Sequence, residues 1–131
     1  MVDKPQDQPK TTQPEGGAPS AAGSREISIN QFFQTEMRVA RVLSAENVPN
    51  TDKLLKLEVD IGSETRQLVA GVAQVYEPAS LVGKNIIVVA NLQPARIRGV
   101  ESRGMLLAAD VAGRPIIATF EEDVPPGTRV R

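Results

Sequence analysis

The sequence predicts an all-β fold of five or six short strands, with one short helix between the third and fourth strands. The clearest indication is LLKLEVDIG, residues 54–62, where apolar and charged residues alternate with a period of two. That period describes a strand with one face in a core and one in water. A second indication is the regular spacing of glycine and proline turn signals between short runs rich in β-branched residues.

The first three predicted strands follow one another closely. MRVARVLSAENV (37–48) is the first, LLKLEVDIG the second, and TRQLVAGVA (65–73) the third. Gly62 and Ser63 form the turn between the last two, which makes those two strands an antiparallel pair. The segment YEPASLVG (76–83) then predicts a short helix, since Pro78 suits a helix start and Gly83 a helix end.

The remaining strands are more apolar. KNIIVVANL (84–92) and RGMLLAAD (103–110) are apolar on both faces, so we expect them to be more deeply enclosed. A polar turn with three arginines connects them, and RPIIATF (114–120) adds a last short strand before the Pro125–Gly127 turn. A helix between the third and fourth strands favours the five-stranded Greek-key barrel called the OB-fold, here with a C-terminal strand extension.

The N-terminal 24 residues contain four prolines but no Ile, Leu or aromatic residue. Such a segment buries too little apolar area to offset its ordering entropy, so we predict a disordered linker over residues 1–24 and a folded domain over residues 25–131. Ser28 followed by Gln31 is a capping box, which predicts a short helix over about residues 29–34.

Composition excludes several kinds of chemistry. The 131 residues include no Cys and no His, so disulfides, thiolate or imidazole metal sites and His-activated nucleophiles are excluded. The acids are scattered and no phosphate-cradling glycine loop is present, so we predict no cofactor, no metal and no enzymatic activity for this chain on its own. No apolar run approaches the roughly 20 residues of a membrane span, and we expect a cytoplasmic protein without a membrane partner.

Basic residues are concentrated although the net charge is −1. Residues 84–103 contain four basic residues and one acid. This excess of positive charge indicates either a local patch that attracts a polyanion or an ordinary solvated loop. In an OB-fold, ligands bind on strands two and three and on the loops between strands one and two and strands four and five. The basic residues that fall there are Lys53, Lys56, Arg66, Arg96, Arg98 and Arg103. For Lys56, a pairing with Glu58 or Asp60 on a wet strand face is an equal alternative.

Aromatic residues are few and limit the kind of ligand. Phe32, Phe33, Tyr76 and Phe120 all lie outside the predicted binding strands, and we expect the phenylalanines in a core or an interface. General single-strand binders depend on aromatic stacking platforms. Their absence here favours backbone contacts and shape recognition of a folded RNA.

Several motifs resemble the tRNA-binding domain family: DKLLKLEVDIG, RQLVAGVA, YEPASLVGK, VVANLQPARIRGVESRGMLLAA and DVPPGTRVR. This OB-fold module forms the C-terminal domain of many bacterial methionyl-tRNA synthetases and also occurs in free-standing and chaperone-like proteins. The resemblance implies largely sequence-independent tRNA binding. It implies roles for Lys53, Lys56, Arg66, Asn91, Arg98, Ser102 and Met105. Ala95 stands where the family often has a basic residue, which implies a lower affinity for tRNA.

The resemblance also implies partners. It predicts tRNA, a second copy of the chain bound through C-terminal strands such as RPIIATF, and a synthetase catalytic chain for which this module is an accessory. The alternative is a free-standing tRNA-binding or chaperone-like protein that binds polypeptides.

Overall fold

A computed structural model describes residues 25–131, and the predicted linker over residues 1–24 lies outside the described residues. The chain divides after Phe32. Within the described part before that point, helix α1 spans Ile29–Phe32, two residues shorter than predicted. The capping box is confirmed by two reciprocal hydrogen bonds. The backbone amide of Gln31 donates to Ser28 Oγ over 3.1 Å, and the backbone amide of Ser28 donates to Gln31 Oε1 over 2.8 Å.

The part that begins at Phe33 is a small antiparallel barrel with short hairpins attached. Its one helix, α2, spans Pro78–Leu81 between the third and fourth strands, as predicted. The strands are β1 Met37–Asn47, β2 Leu55–Asp60, β3 Thr65–Ala70, β4 Asn85–Val89, β5 Ala95–Ile97, β6 Val100–Ser102, β7 Met105–Leu106, β8 Ala108–Val111, β9 Arg114–Ile117 and β10 Arg129–Val130. None of the helices in residues 25–131 is long and apolar enough to cross a membrane.

The barrel strands have the order β3-β2-β1-β4-β7, and β10 also pairs with the start of β1. The long strand β1 pairs with β4 along Met37–Arg41 and with β2 along Arg41–Asn47, with a bulge between Val42 and Ser44. A bulge bends a strand and increases its twist, which lets β1 serve both halves of the barrel. The Arg103 amide donates to the Gln67 carbonyl over 2.9 Å and nearly closes the barrel at β3. This is the predicted OB-fold.

The core confirms the alternation read in the second strand. Leu55, Leu57 and Val59 are fully buried, while Lys56 and Glu58 face outward. Leu81 from α2 packs in the same core. Pro78 begins that helix, and Gly83, with a φ of +89°, follows its end. The helix therefore covers the barrel end between β3 and β4.

The predicted enclosure of RGMLLAAD is wrong. That segment divides into β7, which continues the barrel, and β8, whose four residues are all exposed. Among the strands of residues 25–131, β8 pairs with β9 alone. The short side chains of Ala108 and Ala109 leave little apolar surface to bury, and the apolar count of the segment overstated its enclosure. Ala112 and Gly113, with φ of +53° and +83°, form the two-residue turn of this hairpin.

Candidate nucleic-acid interface

The polar turn between the two apolar segments is a hairpin, formed by β5 and β6. Arg98 and Gly99 occupy its two-residue turn with φ of +52° and +81°, as a type I′ turn requires. Arg96 Nη1 donates to the Gly99 carbonyl over 2.8 Å. Because I′ geometry matches the twist of the strands, the hairpin presents Arg98 at a defined position.

Ser102 anchors this hairpin from inside the protein, with a relative exposure of 3%. Its Oγ accepts a hydrogen bond from the Val69 amide over 3.0 Å and donates to the Gly104 carbonyl over 3.1 Å. Gln67 Nε2 adds a bond of 2.7 Å to the Glu101 carbonyl. The hairpin is thus attached to β3 through two side chains, and the Ser102 hydroxyl is engaged within the fold.

Arg66 and Asn91, both predicted as RNA contacts, also bind the protein itself. Arg66 donates from Nη1 to the Ala90 carbonyl over 2.6 Å and from Nη2 to Glu64 Oε2 over 2.9 Å, with a side chain only 15% exposed. Asn91 accepts from the Glu36 amide over 2.8 Å and donates to the Gln34 carbonyl over 2.6 Å. These side chains connect β4 to β3 and to the segment before β1.

Lys56 forms an ion pair, but with neither of the two predicted partners. Its Nζ lies 2.7 Å from Glu46 Oε2 on the neighbouring strand, where the two residues are directly opposite. Cross-strand neighbours have Cβ atoms about 4.5–5.5 Å apart, closer than residues two apart on one strand, which favours Glu46 over Glu58. Lys56 is therefore partly neutralised where it meets solvent.

The remaining predicted cations are available to a ligand. Within residues 25–131, the side chains of Lys53, Arg98 and Arg103 are exposed and have no hydrogen bond or ion pair to another described residue. Met105 is 42% exposed on β7. Arg103 lies two residues before Met105, and its backbone amide donates to the Gln67 carbonyl of β3. Lys53, Arg98, Arg103 and Met105 therefore keep solvent-exposed side chains that a ligand can reach.

A cleft lies between the β1–β2 loop and the β5–β6 hairpin. The loop contributes Asn50–Leu54 and the hairpin Arg96–Arg98, so three cations face the single acid Asp52. Thr51 Oγ1 accepts from the amides of Lys53 and Leu54, over 3.2 and 3.1 Å, and fixes the loop. The sequence reasoning missed Asn50, Thr51, Leu54 and Ile97 as lining residues, although a turn-forming PNTD before the strand was visible.

A second groove, near Glu36, Arg38, Glu64 and Arg66, is internally neutralised. Arg38 Nη2 lies 2.6 Å from Glu36 Oε2, and this hydrogen bond, together with the charge of Arg38, lowers the pKa of Glu36 below its ordinary value. Partial burial opposes that effect, and the more distant charges of Arg129 and Arg66 add to it. Cations that are already paired attract a polyanion less strongly. The first cleft is therefore the stronger candidate site.

The fold and the cleft define a class: an OB-fold module of the nucleic-acid-binding kind, with a net positive cleft between the two loops that this fold uses for ligands. Residues 37–129 match the family model described as "Putative tRNA binding domain", and the chain belongs to that family.

Relatives and solved structures agree with this membership. The chain is 52% identical over 105 residues to a methionine–tRNA ligase of Archaeoglobus fulgidus, covering 80% of this chain and 16% of that enzyme. A MetRS-related protein from Pyrococcus horikoshii has a TM-score of 0.78 at 40% identity, covering 82% of this chain and 99% of that one. The chaperone CsaA from Bacillus anthracis has a TM-score of 0.74 at 27% identity, covering 81% and 99%.

Proposed function

We propose that the chain binds tRNA through shape and backbone contacts, largely independently of sequence. The observation that supports this most directly is that Lys53 and Arg98, exposed cations with no ion pair to another described residue, line the cleft between the two loops that an OB-fold uses for ligands. Arg103, two residues before β7, is exposed as well. Phosphate contacts supply most of the affinity in sequence-independent binding. Lys53, Arg96, Arg98, Arg103 and Met105 are the proposed contacts, Lys56 adds a half-neutralised charge, and Arg66, Asn91 and Ser102 hold the surface in place.

The test measures the affinity of unfractionated tRNA by fluorescence anisotropy as the salt concentration rises. Lys53→Ala, Arg98→Asn and Arg103→Ala are combined, because Asn tolerates the positive φ at position 98 and the turn is kept. Each lost phosphate contact lowers the slope of log K against log salt by about 0.7–0.9. We expect the triple variant to bind at least about tenfold more weakly at low salt, with a slope shallower by about 2–3.

Lys84→Ala is the matched control, since Lys84 is an exposed lysine outside the cleft. It removes the same kind of charge, and we expect its affinity and salt slope to stay close to those of the wild type. A wild-type affinity that does not change with salt, or an equal loss in the control and the triple variant, contradicts the proposal.

We also propose that the chain forms a homodimer through its β8–β9 hairpin. This hairpin pairs with no other strand in the described part of the chain, and Val111 at its end is 56% exposed. All four residues of β8 are exposed, and a second copy would cover that side of the hairpin. Light scattering after gel filtration should give a mass near twice 14.1 kDa. Val111→Asp should shift that mass towards one chain, and a wild-type monomer would contradict the dimer.

A third element of the proposal is that the module assists a methionyl-tRNA synthetase. The support is the identity with methionine–tRNA ligases, of which the chain spans about a sixth. Binding energy from a remote part of the tRNA then lowers the KM for tRNA. We expect the KM for tRNA of a synthetase catalytic chain to fall when this module is attached, with kcat little changed. The triple cation variant attached in the same way should have no such effect.

The alternative function is polypeptide binding, supported by the likeness to the chaperone CsaA. Leu92 and Met105 are exposed apolar side chains that an unfolded segment could cover. A competition assay separates the two: a labelled unfolded polypeptide that tRNA displaces indicates a shared site. Polypeptide binding in a chain that binds no tRNA selects the alternative.

A further inference from the structure

We infer that the cleft between the β1–β2 loop and the β5–β6 hairpin receives one unstacked nucleotide of the RNA, so that the module favours RNA with an unpaired residue over continuous duplex. This inference rests on the proposed tRNA binding and specifies what its site recognises. It differs from a contact with the phosphate backbone alone, which any duplex of similar length would satisfy.

The floor of the cleft is apolar, which backbone recognition does not require. Leu54 and Ile97 are half-buried and line the cleft from opposite sides. Ile97 faces Val100 across the short hairpin, and Leu54 follows the loop that Thr51 fixes. Two aliphatic side chains on rigid supports offer a base a surface to cover, and covering it removes apolar area from water.

The rim of the same cleft supplies the other chemistry of a nucleotide. Lys53 and Arg98 pair with no acid in the part of the chain that the structure describes, and they adjoin Leu54 and Ile97 in sequence. A phosphate on either side of an extruded base would meet them. Asn50 adds an amide, and its side chain forms no hydrogen bond with another described residue. An amide can donate to and accept from a base edge. The combination of apolar floor, cationic rim and amide fits one nucleotide better than a paired helix.

The experiment compares three RNAs on the full chain: tRNA, a paired RNA duplex, and the same duplex with a single-nucleotide bulge. The two duplexes differ by one phosphate, so their electrostatic attraction is nearly equal. We expect the bulged duplex to bind about fivefold more tightly, the effect of covering a modest apolar area. A 2-aminopurine at the bulge should change its fluorescence when the protein binds, because its base moves from an RNA environment to the cleft.

Ile97→Ser tests the floor. We expect it to reduce the preference for the bulged duplex over the paired duplex to less than about twofold. Val82→Ser is the control, since Val82 is also a β-branched aliphatic residue, is 50% exposed and lies outside the cleft, and it should keep the preference. Thermal melting by circular dichroism checks that both variants fold.

The outcomes separate the two proposals. If tRNA binds and the wild type holds both duplexes equally, the cleft inference is overturned and the proposed function stands. The inference is equally overturned if Ile97→Ser keeps the full preference. If no RNA binds, the proposed function itself is wrong. The wild-type comparison needs no variant, so the inference stays testable even if Ile97→Ser unfolds.

Discussion

Replacing Ser102 with Ala should destabilise the protein and thereby show what this serine does. The change removes one oxygen, which accepts from the Val69 amide and donates to the Gly104 carbonyl. Val69 is 2% exposed, so its amide would lose its partner in a place with little water. A buried donor left without a partner costs about 1–3 kcal/mol. In a domain of about 100 residues each kcal/mol lowers Tm by roughly 4–8 °C.

Urea denaturation followed by circular dichroism measures this loss as a shift in the midpoint at constant slope. Ser63→Ala is the matched control, since Ser63 is exposed in the β2–β3 turn and should change stability by less than about 0.5 kcal/mol. The same variants separate a structural serine from an RNA contact. A Ser102→Ala protein that is as stable as the wild type but binds tRNA more weakly would refute the anchoring role and restore the predicted contact.

Two further predictions concern stability. Gly62→Ala should lower the free energy of unfolding clearly more than Gly83→Ala. Both positions have a positive φ, but a Cβ at Gly62 would lie 2.8 Å from the Gly127 Cα, whereas a Cβ at Gly83 would meet no described atom within 4 Å. Urea midpoints compare them, with about 1–2 kcal/mol expected for the strain common to both, and equal losses would contradict the close packing. Glu36→Gln should lower Tm near neutral pH, where the lowered folded-state pKa of Glu36 stabilises the protein. The contribution of the Glu36 carboxylate to stability is present above its unfolded-state pKa and disappears as pH falls through its folded-state pKa. The difference in Tm between the wild type and Glu36→Gln should therefore close in acid. Glu58→Gln, an exposed carboxylate change, is the control, and a gap independent of pH would contradict the role of Arg38.

The fold was predictable because it depends on local patterns. The period of two placed β2, and Pro78 and Gly83 marked the helix that distinguishes this barrel. The roles of the polar residues near the site were not predictable in the same way. The Asn91 side chain bonds to the backbone of Glu36 and Gln34, which lie 55 and 57 positions earlier in the chain. No local sequence pattern indicates which backbone groups of such a distant segment need a side-chain partner. The β5–β6 hairpin was missed because its strands have only three residues each.

The division between paired and free cations explains how a chain with a net charge of −1 can attract tRNA. Arg38, Arg41, Lys56 and Arg66 each form an ion pair with an acid, and these pairs cancel within the fold. Within residues 25–131, Lys53 and Arg98 have no such partner, and both line one cleft. A polyanion responds to this local surplus rather than to the total charge, and screening at physiological salt limits the response to about 8 Å. The affinity should therefore depend on the few free cations at the cleft and change little when Arg41 and Asp123, a pair outside the cleft, are removed together.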